Sequence, residues 1–266
     1  MEQAKRVALI DADSLTYIVA WNHKDSIPSL VEQSCDSLVR SILKKTEATH
    51  YFGSFSSDLN FRHDVYKVAP YKGNRPPKPE WVREWERWIK DHLVQKWNFI
   101  EPTNLEADDV VAHLALASQP LEECIICSPD KDMKQIPGLH YDYKTTENGV
   151  IEVSTQQAEK NFWIQMLTGD DTDNIKGVPG LGAVKAEKLL KDLDAFDMHM
   201  AVYEAYCKYY GDYYGDIIYQ QTCDCIQLVT GPDHNRYLPY IENSLYHIRS
   251  LGFYPTPKEE QDWPEI

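Results

Sequence analysis

Three aspartates, Asp170, Asp171 and Asp173, stand within four residues in the segment TGDDTDN. Two unit charges about 4 Å apart repel by roughly 4 kcal/mol at an effective dielectric near 20, so such a cluster is stable mainly when it holds a cation. A glycine-rich turn at 177–182 follows, and a lysine-rich helix is predicted after it. Backbone N–H groups of such a turn bind anions such as phosphate. A cation site beside a phosphate site favours a phosphodiester as ligand.

Three other segments, far apart in sequence, carry acids beside predicted strand or helix ends: Asp11 and Asp13; Glu106, Asp108 and Asp109; Asp130 and Asp132. The carboxyl edge of an open α/β sheet is where such folds bind their ligands. The residues therefore predict that these acids converge there. Asp11 and Asp13 also suit the cap of a helix that starts near Leu15, and acids at 106–109 also suit a helix dipole. Both alternatives stay open.

Oxygen-only ligation by this many carboxylates indicates Mg²⁺ or Mn²⁺. Two such ions about 3.5 to 4 Å apart can activate a water and stabilise the leaving oxygen of an in-line phosphoryl displacement. The sequence lacks a Gly-x-Ser-x-Gly elbow, a Walker loop and a histidine pair at metal spacing, which argues against nucleophilic-triad and nucleotide-triphosphate chemistry. Phosphodiester hydrolysis is the reaction that the composition favours.

The elements that position these acids follow from apolar periodicity. Short apolar runs predict strands at 6–10, 49–55 and 123–127, and an amphipathic helix is predicted at 31–45. This order indicates an α/β fold with a mostly parallel sheet flanked by helices. A β-hairpin about 147–149 is predicted within 138–153. Helices are predicted from about residue 104 to 117 and at 154–167, with Trp163, Met166 and Leu167 buried, and at 197–210 and 213–228.

The stretch 66–96 differs in character. Prolines and cations predict a loop at 71–78, and a helix follows from about Pro79 with Trp81, Trp85 and Trp88 on one face. Core packing is the ordinary role of such a stripe. The alternative is a wall on which aromatic rings stack on bases while Arg83, Arg87 and Lys90 meet phosphates.

Composition sets limits on the class of protein. The chain has 266 residues, 42% of them hydrophobic, and a net charge of −15, so it forms a real core and does not bind polyanions with its whole surface. Locally, nine Lys/Arg face five Asp/Glu over 62–96, and four face one over 176–191, which predicts nucleic-acid contact at defined places. The six cysteines lack zinc-finger spacing and are expected to be reduced thiols. The apolar run at 7–10 is too short for a signal peptide, so a soluble, cytoplasmic protein is expected.

Five ordered motifs carry a family resemblance: Asp11 at a strand end, YKGNR at 71–75, EADD at 106–109, SPDKD at 128–132 and GDDTDNIKGVPGLG at 169–182. Together they resemble the 5′ nuclease (flap endonuclease) superfamily, especially free-standing phage-encoded 5′→3′ exonucleases, over about residues 6–228. The resemblance implies a PIN-like α/β catalytic domain at 1–167 with a helical arch at about 70–97. It also implies a helix-three-turn-helix region at 168–228 and a C-terminal extension at 229–266 that packs on the core.

The resemblance also implies site residues. A tighter, catalytic metal would be held by Asp11, Glu106, Asp108 and Asp109, and a second metal by Asp130, Asp132, Asp170 and Asp173. Lys72, with Arg75 beside it, would contact the scissile phosphate, and Tyr71 would stack on the neighbouring base. DNA would be bound by Tyr71, Lys72, Arg75, Lys176, Gly177, Val178, Gly180, Gly182 and Lys185. The implied ions are two Mg²⁺, replaceable by Mn²⁺, and K⁺ at the turn.

One position departs from the family pattern. An acid is expected near the end of the second strand, where this chain has Phe55-Ser56-Ser57-Asp58. Ser57 aligns with the acid and Asp58 is one residue late, so either Asp58 serves as a ligand or a serine replaces it.

The implied activity is Mg²⁺-dependent 5′→3′ exonuclease and flap endonuclease cleavage of duplex or flapped DNA, extending to RNA in RNA–DNA hybrids. A monomer in the cytoplasm (the host's, if phage-encoded) that meets replication proteins such as single-stranded DNA-binding protein is expected. A PIN-like ribonuclease is the second enzymatic hypothesis, which the 177–182 turn disfavours. A catalytically inactive DNA-structure binder is the third, and it predicts more losses among the acids than the one at Ser57.

Overall fold

A central sheet of six strands organises the described part of the chain. The computed structural model describes residues 5–118, 122–229 and 247–257. The sheet order is β5-β4-β3-β1-β2-β8, and β6 and β7 form a separate pair. The strands are β1 (Lys5–Asp11), β2 (His50–Ser54), β3 (Glu122–Cys127), β4 (Gly138–Tyr141), β5 (Val150–Val153), β6 (Gly169–Asp170), β7 (Ile175–Lys176) and β8 (Tyr254–Pro255).

The middle of the sheet is parallel, as predicted. β1 pairs with both β2 and β3, and β4 pairs with β3, all in parallel. Asp11 lies opposite Ser54, and Ile10 lies opposite Cys127. The carboxyl ends of these three strands therefore reach the same edge. The outer strands β5 and β8 are antiparallel, and β4 and β5 form the predicted hairpin.

The helices of residues 5–118 and 122–229 are α1 (Ala12–Asn22), α2 (Pro28–Thr46), α3 (Arg62–Val65), α4 (Glu80–Trp97), α5 (Ala107–Ala117), α6 (Thr155–Thr168), α7 (Ala183–Leu189), α8 (Ala195–Tyr210) and α9 (Asp212–Ile226). The alternation of β1 divides the core. Val7 and Leu9 pack into a cluster with α5 and the C-terminal helices, whereas Ala8 and Ile10 pack with α1, α2 and α4. The sheet is thus covered on both faces, as a parallel sheet must be.

The predicted arch helix α4 packs on the core through one face. Val82, Ile89, Leu93 and Trp97 are buried. Buried Asp36 of α2 holds its C-terminal half, because the Asp36 carboxylate accepts hydrogen bonds from His92, Lys96 and Trp97 at 2.9, 3.0 and 2.7 Å.

The tryptophan stripe of α4 divides between the two interpretations. Trp81 and Trp85 are partly buried against the core, whereas Trp88 is 45% exposed and donates to Glu32. Two of the predicted phosphate-binding cations are paired, Arg83 with Glu80 and Lys90 with Glu101. Core packing therefore describes two of the three tryptophans.

The C-terminal half contains features that sequence periodicity did not predict. β6 and β7 bracket the acid loop, and Trp163, predicted as buried, is partly exposed and stacks on His199. In the C-terminal extension, where the sequence predicted no particular helix or strand, a helical turn at 247–251 leads to β8, which pairs with β2. The domain bounds inferred from the resemblance stay a prediction.

Two further observations concern composition. All six cysteines are free thiols, and Cys124 and Cys127 point into the two different core clusters. In the described ranges, every helix is too short or too polar to cross a bilayer.

Candidate metal centre and nucleic-acid interface

Acids from four distant segments meet at the carboxyl edge of the sheet. One narrow cleft is lined by Glu106, Asp108, Asp132, Asp170 and Asp173. Asp11 and Asp130 are joined through one hydroxyl: Ser128 Oγ donates to Asp11 Oδ2 at 2.7 Å and accepts from Asp130 N at 3.1 Å. Asp130 Oδ1 in turn accepts from Asp132 N at 2.8 Å. The predicted convergence is therefore present.

Asp11 has both roles that the sequence suggested. Its Oδ1 caps α1 by accepting from Asp13 N at 3.1 Å, and its buried carboxylate also faces the other acids. Burial, followed by the charge of Asp13, raises the pKa of Asp11 to about 7. Asp13 is exposed, and its Oδ1 accepts from Ser56 N at 3.0 Å, so it ties the ends of β1 and β2 together.

Burial and neighbouring negative charges destabilise the ionised forms of Asp132 and Asp108. Burial, then the charges of Asp130 and Asp170, raises the pKa of Asp132 to about 8. Burial, then the charges of Asp109 and Glu106, raises the pKa of Asp108 well above its usual range. A nearby cation stabilises the ionised form of a carboxyl group whose pKa is raised in this way. The donor set is entirely carboxylate oxygen, and Glu106, Asp108 and Asp109 each place one ligand atom within 4.8 Å of the others. These residues fit a hard divalent ion.

Glu106 and Asp109 share a buried arginine that the sequence did not single out. Arg62 donates from Nη1 to Asp109 Oδ2 at 2.6 Å and from Nη2 to Asp109 Oδ1 at 2.8 Å, and its Nη1 lies 3.1 Å from Glu106 Oε2. Burial alone would raise the pKa of Glu106, but Arg62 and Lys72 hold it below the usual range. Arg62 Nε donates to the carbonyl of Cys225 in α9 at 2.8 Å, which connects the acids to the C-terminal helices.

Asp109 differs from the other predicted metal ligands. Its two oxygens accept further hydrogen bonds from Glu106 N and Val229 N, at 3.2 and 3.1 Å, and its side chain is fully buried. Each carboxylate oxygen thus already has two donors. The structure gives Asp109 a role in holding α5, α3 and the 225–229 segment together, and its predicted metal contact would require Arg62 to release an oxygen.

Lys72 and Arg75 extend into the acid cluster, and their predicted contact with the scissile phosphate stays a prediction. Lys72 Nζ contacts Glu106 Oε1 and lies 3.9 Å from Asp173 Oδ2, and Arg75 Nη2 contacts Asp173 Oδ1. Burial alone would lower the pKa of Lys72, but Glu106 and Asp173 raise it above the usual range. These two cations therefore neutralise carboxylates in the structure.

Tyr71 is packed into the protein, and its predicted stacking on a base stays a prediction. The residue is 5% exposed, and its ring packs edge-on against His63 at 5.2 Å between centroids. Its hydroxyl lies 2.7 Å from Glu106 Oε2 and 2.9 Å from Asp173 Oδ2. The ring is buried because this hydroxyl is directed at the acids, so stacking on a base would require the ring to leave its pocket.

The structure places Ser56, not Ser57, at the point where β2 reaches the acids. Ser56 Oγ accepts from Ala107 N at 2.9 Å and so caps the first turn of α5. Ser57 turns away and donates to Leu59 O at 2.7 Å. Asp58 is exposed, and it is absent from the residues that line the acid cleft. Of the two serines, Ser56 is thus the one that contacts the acid-bearing helix, and a metal contact of Asp58 or Ser57 stays a prediction.

The glycine-rich turn is closely attached to the acid loop. An added Cβ at Gly177 would lie 2.3 Å from Leu167 O and 2.4 Å from Gly169 N, so only glycine allows these backbones to approach. Gly180 has a φ of 84°, and Lys185 Nζ donates to its carbonyl at 2.8 Å. Gly180, Gly182, Lys176 and Lys185 are exposed.

Val178 differs from the other residues that were predicted to contact DNA. Its side chain is buried, and its N–H donates to Leu167 O at 2.8 Å. Val178 therefore anchors the turn, and the exposed glycines and lysines remain available to a ligand.

Comparisons with known proteins identify relatives of this chain by fold and by sequence. The fold resembles that of the T5 D15 protein co-crystallised with metal ions, with a TM-score of 0.71 at 18% identity over 93% of this chain and 99% of that one. The sheet and its acid edge thus define a 5′ nuclease superfamily fold. Residues 6–170 match the family described as 5′-3′ exonuclease, N-terminal resolvase-like domain, and the chain belongs to that family.

Two curated relatives show how the match is distributed along each chain. The chain is 31% identical over 214 residues to flap endonuclease Xni of Pseudoalteromonas translucida, covering 71% of this chain and 79% of that one. It is 29% identical over 216 residues to DNA polymerase I of Bacillus caldotenax, covering 74% of this chain. The match spans only 24% of that polymerase.

Proposed function

We propose that the protein is a metal-dependent 5′→3′ exonuclease and flap endonuclease that hydrolyses phosphodiesters of DNA. The observation that carries this proposal is the meeting of acids from four segments with Lys72 and Arg75, next to an exposed glycine-rich turn. The acids would hold divalent ions, the cations would contact the phosphate under attack, and the turn would hold the duplex backbone. Membership of the 5′-3′ exonuclease family supports the same reaction.

The metal ligands would be Asp11, Glu106, Asp108, Asp130, Asp132, Asp170 and Asp173. When bound, two divalent ions supply an activated water and stabilisation of the leaving oxygen. The protein's own contribution is to fix these carboxylates on strand ends and short turns and to exclude bulk water by burial. Lys72 and Arg75, which already neutralise Glu106 and Asp173, would turn to the phosphate when the carboxylates gain another cation partner. A positive charge beside the oxygens of the phosphate under attack stabilises the transition state.

Several finer statements belong to the same proposal. Mg²⁺ is the natural ion because every donor is an oxygen, and Mn²⁺ can replace it. K⁺ at the 177–182 turn and RNA in RNA–DNA hybrids as a second substrate follow from the family resemblance. A monomer with a cytoplasmic location and contact with single-stranded DNA-binding protein complete the proposal.

The test uses duplex, 5′-flap and RNA–DNA hybrid substrates, each labelled at either the 5′ or the 3′ end, with Mg²⁺ or with EDTA. We expect label to be released from 5′ ends only, and only with Mg²⁺. Release solely from 3′ ends, or cleavage that EDTA leaves unchanged, would reject the proposal. Cleavage of the RNA strand alone would favour the PIN-like ribonuclease.

A matched pair of variants separates the metal site from general acidity. Asp170 lies in the cleft, whereas its neighbour Asp171 is exposed. Both changes, Asp170→Asn and Asp171→Asn, remove one charge from the same loop. We expect the first to reduce cleavage at least about 100-fold and the second to leave it within about twofold. Equal effects would contradict the proposed ligand set.

A further inference from the structure

Two loops meet directly above the acid cluster. The cation loop (residues 70–75) carries Lys72 and Arg75, and the acid loop (residues 170–176) carries Asp170 and Asp173. Backbone carbonyls of the acid loop accept two hydrogen bonds from the cation loop: Lys72 N donates to Asp173 O at 2.8 Å, and Arg75 Nε donates to Thr172 O at 3.1 Å. The two loops are therefore attached through main-chain acceptors as well as through their charged side chains.

Two asparagines complete this attachment in reciprocal directions. Asn74 Nδ2, in the cation loop, donates to Asp171 O at 2.6 Å. Asn174 Nδ2, in the acid loop, donates to Pro70 O at 2.9 Å. Both bonds end on backbone carbonyls, so they do not depend on whether the nearby carboxylates contact Lys72 and Arg75 or another cation. A neutral donor also suits the acid loop, because an aspartate there could not donate and would add repulsion.

The backbone at this junction is strained on both sides. Lys72 has a φ of 55° and Asn174 a φ of 59°. Asparagine enters this left-handed region readily, but lysine does not. Strained residues of this kind persist where surrounding contacts over-determine them, and they concentrate at functional sites. Gly73 tightens the turn, since an added Cβ would lie 2.6 Å from Pro70 Cβ.

We propose that Asn74 and Asn174 are positioning residues that lock the cation loop onto the acid loop. The lock fixes the backbone of Lys72 while its ammonium exchanges Glu106 for a phosphate oxygen. The acid loop continues into the 177–182 turn through β7, so the lock also sets the distance between the duplex-holding turn and the two cations. The kinetic part of this proposal rests on the proposed nuclease function, whereas the structural part does not.

Limited digestion of the metal-free protein with trypsin tests the lock without nuclease activity. Between Lys67 and Arg83, trypsin has one favourable site, Lys72–Gly73, because Arg75 and Lys78 both precede proline. Asn74→Ala removes one amide, and Asn174→Gly removes the other while keeping the left-handed backbone accessible. Loss of one hydrogen bond of ordinary strength should speed cleavage at Lys72–Gly73 about 3- to 10-fold.

The kinetic test uses a 5′-flap duplex. We expect single-turnover cleavage with Mg²⁺ to fall at least about 10-fold in both variants, since small misplacement of a catalytic group is costly. Affinity for the same duplex in EDTA, measured by fluorescence anisotropy, should stay within about threefold. A variant that had merely lost stability would also lose binding, so the split between turnover and affinity identifies positioning.

The matched control is Tyr203→Phe, which removes a hydroxyl that donates to Asp216 at 3.3 Å between α8 and α9. It should leave both readouts unchanged. Equal trypsin cleavage at Lys72–Gly73 in parent and asparagine variants would overturn the lock. Faster trypsin cleavage with unchanged turnover of the flap substrate would overturn the positioning role. Absence of 5′ cleavage of DNA in the parent would instead reject the nuclease function. The trypsin digestion would still test the lock.

Discussion

Arg62 and Asp109 form a two-pronged ion pair that is almost completely sealed from solvent, with N–O distances of 2.6 and 2.8 Å. The pair joins α3 to α5, and the remaining contacts of Arg62 and Asp109 reach Cys225 O and Val229 N. The buried guanidinium of Arg62 is therefore a fixed positive charge next to the acids of the cleft. This arrangement keeps Glu106 ionised at the wall of the cleft.

Replacement of Arg62 by methionine should cost about 3 to 5 kcal/mol of unfolding free energy, because it leaves Asp109 buried without its partner. Arg62→Lys should cost less, since the charge is kept but the planar fork is lost. Urea denaturation measures both. The double change Arg62→Met with Asp109→Leu should recover much of the loss, and a fully additive double variant would show that the two residues are not energetically paired.

The pH dependence of stability should reverse with metal. In the folded protein the pKa values of Asp11 and Asp132 are about 7 and 8, against 3.8 for an ordinary aspartate. Between pH 6 and 8 the folded state thus holds protons that the unfolded chain has lost, and stability falls as pH rises. The loss from both groups should total about 3 to 4 kcal/mol in EDTA.

With Mg²⁺ present, the same carboxylates must be deprotonated to bind, so the stabilisation by metal should grow over this range. Thermal unfolding at pH 6, 7 and 8, with EDTA or Mg²⁺, checks both trends. Asp11→Asn should flatten part of the slope in EDTA. A melting temperature that rises from pH 6 to 8 in EDTA would contradict the raised pKa values.

Lys72→Ala should separate turnover from binding. Lys72 Nζ contacts Glu106 within the cleft, where a single charge acts on the reacting phosphate more than on the duplex. We expect turnover to fall about 100-fold or more, with duplex affinity in EDTA reduced less than about threefold. Lys78→Ala is the matched control. Lys78 lies in the same predicted loop at 71–78 but is paired with Glu86 at 2.5 Å. Unchanged turnover in Lys72→Ala would remove this lysine from the mechanism.

Asp36→Ala should loosen α4. The Asp36 carboxylate accepts hydrogen bonds from three residues of that helix, and its loss deprives buried donors of their acceptor. The expected cost is about 2 to 4 kcal/mol in urea denaturation. Glu32→Ala, which removes only the exposed bond to Trp88, should cost less than about 0.5 kcal/mol. Equal costs would show that burial of Asp36 contributes nothing.

The sheet and the convergence of acids could be predicted from sequence because both follow local rules. Apolar runs that end in Asp11 and shortly before Asp130 mark strand ends, and parallel strands bring such ends to one edge. The Arg62–Asp109 pair could not be predicted, since its partners are 47 residues apart and no periodic signal connects them. The only sequence feature related to this pair was a basic residue directly after an aromatic one, with acids elsewhere in the chain.

Tertiary contacts added features that the sequence could not show. The base-stacking role of Tyr71 followed from the family resemblance, and the structure adds that its hydroxyl contacts Glu106 and Asp173 while its ring is buried. Beyond the end of β2 the resemblance drew attention to Ser57, whereas it is Ser56 that contacts α5. β8 was missed because two residues are too few to show an alternating pattern.

That two-residue strand also has a protective effect. β8 lies along the outer side of β2, opposite His50 and Tyr51, and Thr256 N donates to Thr49 O at 2.9 Å. An uncovered β2 would offer unpaired backbone groups next to aromatic side chains, which is the kind of edge on which a second molecule can add a strand and begin to aggregate. The few residues at 254–256 therefore cover part of this edge of the sheet.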